Sequence, residues 1–194
     1  MKRILSTLAV LLVSFTMSAQ GYLGGELGFS NLKNTLEKST ITSFALKPEV
    51  GFKVNDKWSF GTAIGIEFAR KKYDSYGDRT FDGQYCVDAN SFELSPYVRY
   101  NALKTGIFTF FFDTTASIIT MKTETNLAGE DSESYSGWAV GITPGISIAV
   151  TEDLSLVAHV GTIGYFDTAD INNLKGFAMN INSSTLTFGL LWDF

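Results

Sequence analysis

The sequence predicts an all-β chain folded as one eight-stranded antiparallel up-and-down barrel that crosses a membrane. Three observations predict it. Apolar residues alternate with small or polar ones at a period of two through eight separate runs. The connections between those runs are short and long in turn. The composition, with 18 Gly, 16 Phe, 8 Tyr and 3 Trp against 3 Pro, suits short pleated strands with tight turns.

The N-terminal segment stands apart from the barrel. Lys2 and Arg3 precede an apolar run from Ile4 to Phe15, and Ser18 and Ala19 follow as small residues. That is the layout of a secretory signal peptide over residues 1–19, with the domain beginning at Gln20. The apolar run is about 12 residues, too short to cross a hydrocarbon layer of ~30 Å as a helix. No Cys lies near the cleavage region, which argues against a lipid anchor. Nowhere downstream do 18 apolar residues follow without interruption, so no transmembrane helix is expected. The whole chain carries a net charge of −5, and loss of Lys2 and Arg3 takes it to −7. An acidic domain is a poor nucleic-acid ligand, since phosphate backbones reward basic patches. The single Cys86 excludes an internal disulfide.

The eight runs fall at about 21–31, 40–54, 57–72, 87–101, 106–121, 137–150, 154–166 and 183–194. Trp58, Phe60, Thr62, Ile64, Ile66 and Phe68 share one face of the third, while Ser59, Gly61, Ala63, Gly65 and Glu67 share the other. Trp138 to Val150 and Leu186 to Phe194 alternate in the same way. Each run reaches the ~9–11 residues that a tilted membrane strand requires. Asn55-Asp56, Ala102–Thr105 and Thr151–Asp153 are expected as tight turns; 32–39, 73–86, 122–136 and 167–182 as longer polar loops. Short turns at one end and long loops at the other are the layout of an outer-membrane barrel, with the loops outside the cell.

A repeat runs through the chain. Pro48, Pro96 and Pro144 are 48 residues apart, within Phe44–Phe52, Phe92–Tyr100 and Val140–Ile148, and a fourth copy begins at Phe188. The repeating unit is one hairpin with its loop. Pro cannot donate to a ladder, so a bulge or a missing hydrogen bond is expected at each.

Alternation leaves open which face is inside. A soluble periplasmic lipid-binding barrel would line its interior with the apolar face. The unbroken aromatic series Phe108, Phe110 and Phe112 favours lipid outside, because an eight-stranded lumen has room for small residues and paired charges only. Trp58, Trp138, Trp192 and Phe194 suit interfacial girdles. Glu26, Lys47, Glu49, Glu67, Glu93, Arg99 and Asp113 then point inward, with Lys53 and Asp193, and are expected to form a structural salt-bridged network.

The signal segment, the alternating strands, the Pro-centred repeat and a last strand ending in Phe resemble the small outer-membrane β-barrel proteins of the OmpA and OmpX type. The resemblance covers the whole processed chain. It implies an outer-membrane location and contact with outer-membrane lipid. It also implies a C-terminal signal, carried here by Leu190, Trp192 and Phe194, read by the barrel-assembly machinery.

No chemistry-bearing motif stands out. His159 is the only histidine and faces inward, beside Gly161 and near Ser155, with no evident partner. A hydrolase needs a base within reach of its nucleophile. The carboxylates Glu124, Glu130, Asp131 and Glu133 match no calcium loop. Gly24-Gly25 and Gly161–Gly164 precede no helix, so no phosphate loop is expected; no cofactor and no metal are expected either. The expectation is a non-enzymatic outer-membrane barrel, structural or binding an extracellular partner through its loops. The alternatives are a narrow channel through the polar lumen, a lipid- or peptide-modifying enzyme, and the periplasmic lipid-binding barrel.

Overall fold

The structure, a computed structural model, describes residues 20–36, 38–73, 85–125, 132–168, 174–180 and 186–194. The expected signal peptide lies outside the described residues. Among the described residues ten strand segments follow one another: β1 Gln20–Asn34, β2 Ser39–Lys53, β3 Trp58–Tyr73, β4 Tyr85–Thr105, β5 Phe108–Thr125, β6 Glu133–Ala149, β7 Leu154–Val160, β8 Thr162–Thr168, β9 Leu174–Asn180 and β10 Leu186–Asp193. β7 and β8 both pair with β6 and form one wall position, parted at Gly161. β9 pairs with β8 and β10 with β7, which makes the eighth.

The ring closes. Paired residues can be followed from Ile146 through Ala158, Phe188, Leu27, Leu46, Ile66, Phe92 and Thr120. The row returns to β6 at Ser136, ten residues from its start. Eight antiparallel strands with that stagger leave an interior just wide enough for side chains to fill.

Side chains at the turns explain the tight connections. Asn55 Oδ1 accepts the backbone N–H groups of Lys57 and Trp58, both at 2.9 Å. Thr151 Oγ1 accepts that of Leu154 at 3.0 Å. The expected turn at Ala102–Thr105 is strand instead. A bulge between Asn101 and Leu103 absorbs one residue, and the chain reverses at Gly106, whose φ of 56° favours glycine.

At the other end the strands overrun the expected loops. β1 and β2 pair as far as Asn34 and Ser39, β3 and β4 as far as Tyr73 and Tyr85. β9, which pairs with β8, lies wholly within the 167–182 region read as loop. A hairpin that leaves lipid keeps its ladder where cross-strand pairs still pack, as the Tyr73 and Tyr85 rings do at 5.2 Å.

Each proline interrupts the ladder on the same side. Between β2 and β3 the pairing lapses at Lys47 and Pro48 and resumes in unchanged register, and between β4 and β5 it does the same at Ser95 and Pro96. At Thr143 and Pro144 the lapse coincides with a one-residue register shift across β6, opposite Gly161 with φ 64°.

The wall faces out with its apolar side chains. Phe60, Ile64, Phe110 and Leu190 are all exposed on the outer surface, whereas Arg99 is 6% exposed inside. A soluble barrel with a greasy lining has the opposite sense. On β3 the outward series from Trp58 to Phe68 is apolar apart from Thr62 and turns basic at Arg70 and Lys72. That interval sets the membrane-spanning height.

Candidate functional site

The interior is a packed, charged plug in the half nearest the tight turns. Its base is aromatic. Tyr22 on β1 and Phe111 on β5 are 1% and 2% exposed, and Tyr97 on β4 is buried with them. Each ring lies over a glycine directly across the ladder: Tyr22 over Gly51, Tyr97 over Gly61, Phe111 over Gly145. A Cβ at those glycines would come within 2.3 to 2.5 Å of ring carbons. Glycine is what lets a ring lie flat on the inner wall of so narrow a barrel.

Charges are threaded through these rings. Arg99 Nε and Nη2 donate to the two Asp113 carboxylate oxygens, each at 2.8 Å, in the bidentate geometry that a guanidinium fork favours. Glu49 lies 3.6 Å from the same guanidinium, and the Phe111 ring stacks on it at 4.2 Å. Tyr22 donates to Tyr97 at 2.9 Å, and Tyr97 donates to Glu49. Lys53 closes the turn end on Asp193 at 2.6 Å.

His159 on β7 joins this network. Its Nδ1 faces Glu26 at 2.6 Å and its Nε2 faces Asp113 at 3.0 Å. A carboxylate oxygen at each ring nitrogen is matched by imidazolium, in which both nitrogens donate. The sequence shows no partner for His159 because Glu26 and Asp113 lie 133 and 46 positions away and meet it only through ring closure. Both ring nitrogens of His159 are thus engaged by carboxylates.

Above the plug the lumen widens into a cavity of about 260 Å³, bounded among others by Glu26, Lys47, Thr143, His159, Thr162 and Thr187. Lys47 reaches Glu93 at 3.3 Å, and Glu93 accepts from Ser95, which meets Ser117 at 2.7 Å. Thr143 and Thr162 bond across the Gly161 bulge at 2.9 Å.

Of the seven inward charges expected from the sequence, the structure brings Glu26, Lys47, Glu49, Glu93, Arg99 and Asp113 into this interior. Glu67 is the exception. It has inward parity but is exposed near the loop end, and makes no ion pair among the described residues. Height along the strand, which parity does not encode, separates it from the rest. The sequence reading also passes over Tyr22, Tyr97 and Phe111. Their signal is present: each shares a face with a named charge and lies opposite a glycine. Leu190, Trp192 and Phe194 all face outward and are exposed, 52% for Leu190.

The profile of the outer membrane protein beta-barrel domain family matches residues 5–194. The chain belongs to that family. Its members are outer-membrane β-barrels, and this chain is one by sequence as well as by fold. Among solved structures it is similar to Neisserial surface protein A, with 15% identity over 90% of this chain and 97% of that one and a TM-score of 0.52. It is also similar to Ail, the attachment invasion locus protein of Yersinia pestis, with 14% identity over 92% and 100% and a TM-score of 0.49. Identity at this level speaks for the fold alone. A search of curated proteins gives no match.

Proposed function

We propose that this outer-membrane barrel is non-enzymatic and non-conducting, and that it stiffens the envelope while holding its hairpin ends outside as a surface for partners. One observation carries the reading: the turn half of the lumen is filled by interlocked rings and ion pairs around Arg99. Tyr22, Phe111, Val157 and Leu191 are all buried among these groups. A rigid, filled scaffold suits loops that carry specificity. The loop stretches 74–84, 126–131 and 169–173, where an extracellular partner would bind, lie outside the described residues.

The barrel-assembly machinery is the other expected partner. The outward row Leu190, Trp192 and Phe194 is free to be read before insertion and meets lipid afterwards. Planar-bilayer recording tests the reading. Wild-type barrel should give no unitary conductance, whereas Arg99→Ala combined with Tyr97→Ala should give small events. Unitary conductance in the wild type would instead support the narrow channel. If His159→Ala removed a hydrolytic or acyl-transfer activity of the purified barrel, the non-enzymatic reading would fall.

A further inference from the structure

The cavity of about 260 Å³ above the plug is a cup with a polar floor and a wall of small side chains. Solvent reaches it: Lys47, which bounds it, and the neighbouring Glu93 keep 35% and 29% of their side chains exposed. The next inward positions toward the loop end are Gly28 beyond Glu26, Ala45 beyond Lys47, and Gly141 and Ala139 beyond Thr143. The floor offers donors and acceptors together. Thr143 and Thr162 share one hydrogen bond at 2.9 Å, which leaves one hydroxyl hydrogen and lone pairs on both oxygens. Lys47 has donors beyond the one given to Glu93, and the Glu26 carboxylate has lone pairs beyond the one facing His159. Charge in and under the floor is close to balanced. Glu26, Glu49, Glu93 and Asp113 stand against Lys47, Arg99 and His159, so four carboxylates meet three cations even with His159 protonated.

We propose that this cup binds one free sugar ring, neutral or amino-substituted. Sites for larger ligands begin at about 300 Å³, so a cavity of about 260 Å³ suits a single ring. A ring with a hydroxyl on most of its carbons meets closely spaced donors and acceptors such as Lys47, Glu26, Thr143 and Thr162. Its C–H faces meet the threonine methyl groups and the side chains of Ala45 and Ala139. Its hydroxyls reproduce the hydrogen bonds of the water they displace, which is the condition for gaining affinity in a wet polar site. The surplus carboxylate sets the order among sugars. An ammonium substituent is attracted, and a carboxylate substituent is repelled, because every cation at the floor already has a carboxylate partner.

Threonine methyl groups in the cup report on it directly. The barrel is reconstituted in phospholipid nanodiscs free of glycoside detergent, with isotope-labelled threonine methyls, and glucose, glucosamine and glucuronate are titrated in turn. Glucose should shift the Thr143, Thr162 and Thr187 signals saturably, glucosamine should do so at lower concentration, and glucuronate should be weakest. Thr143→Val with Thr162→Val, read at Thr187, should weaken glucosamine about tenfold through lost hydrogen bonds. Ala45→Phe should abolish binding without touching a polar group. Its ring would lie over Gly28 across the ladder and fill the mouth, as the Tyr22 ring lies over Gly51. An unchanged gel shift on boiling shows that the variants are folded. Failure of glucose and glucosamine alike to move these signals, tighter binding of glucuronate than of glucosamine, or binding that survives Ala45→Phe would overturn the proposal.

Discussion

Replacing Arg99 by Ala is the sharpest perturbation of the plug. Among the described residues, Arg99 is the only cation within reach of both Glu49, at 3.6 Å, and Asp113, at 2.8 Å. Both carboxylates are buried, and the Phe111 ring covers the guanidinium. Truncation leaves Asp113 to His159 alone and Glu49 to the Tyr97 hydroxyl alone. Removing one partner of a buried pair costs about 3–5 kcal/mol. The assay is urea unfolding of the barrel folded into phospholipid vesicles, followed by tryptophan emission. Arg99→Ala should lower the unfolding free energy by about 3–5 kcal/mol, while Arg99→Met with Asp113→Leu should cost less than the two single changes added together, because contacting pairs couple by about 0.5–3 kcal/mol. A loss below about 1 kcal/mol for Arg99→Ala, the range of exposed pairs, would refute the claim that this ion pair is desolvated.

Gly145→Ala should destabilise the same assay by about 1–3 kcal/mol, since its Cβ would sit 2.3 Å from the Phe111 ring and the barrel cannot widen locally. Phe111→Leu in that background should recover part of the loss. Ile64→Arg places a charge on the outer wall within the spanning height and should cost about 2–4 kcal/mol, read as reduced folded fraction on a heat-modifiability gel. Above the membrane, the Arg70 guanidinium donates to both Asp88 oxygens at 2.6 and 2.8 Å, and this hydrogen bonding holds the Asp88 carboxyl below its ordinary value. The pair's small contribution is therefore present above the ordinary carboxylate range and lost as pH falls through the lowered value. Arg70→Ala should return Asp88 toward about 3.9, seen by carboxyl NMR titration.

The architecture is legible in the sequence because lipid imposes one rule at every outward position. Trp58, Phe60, Ile64 and Phe68 obey it, so a period of two suffices to find the strands. The strand ends are less legible. Once a hairpin rises into water, either ladder or solvent can satisfy its backbone, and only cross-strand packing such as Tyr73 against Tyr85 decides. The plug is legible in part. Parity selects Arg99 and Asp113, whose strands are neighbours and whose side chains meet directly across the ladder. It cannot show that His159 joins Glu26 to Asp113, because those contacts depend on the stagger at which the ring closes. Nor can it separate Glu67 from Glu49, which differ in height and not in face.

The proline repeat shows how one hairpin plan can serve two environments at once. The outward positions after each proline are near-equivalent, Val50, Val98 and Ile146, because acyl chains present the same surface all round the barrel. The inward positions cannot be equivalent. A narrow lumen brings opposite walls into contact, and three identical charges there would repel one another. The residue after each proline is accordingly Glu49, Tyr97 and Gly145 in turn, and the inward residue two further on is Gly51, Arg99 and Ser147. These differences are complementary. Tyr97 donates to Glu49, Arg99 faces Glu49, Gly51 makes room for Tyr22, and Gly145 makes room for Phe111. A double variant, Glu49→Tyr with Tyr97→Glu, would keep composition and strand parity. It would also move one of the three rings from β4 to β2, away from the Gly61 that makes room for it, and leave Arg99 with one carboxylate fewer facing it across the bore. A double variant that folded with wild-type stability would mean that the lumen tolerates any polar filling.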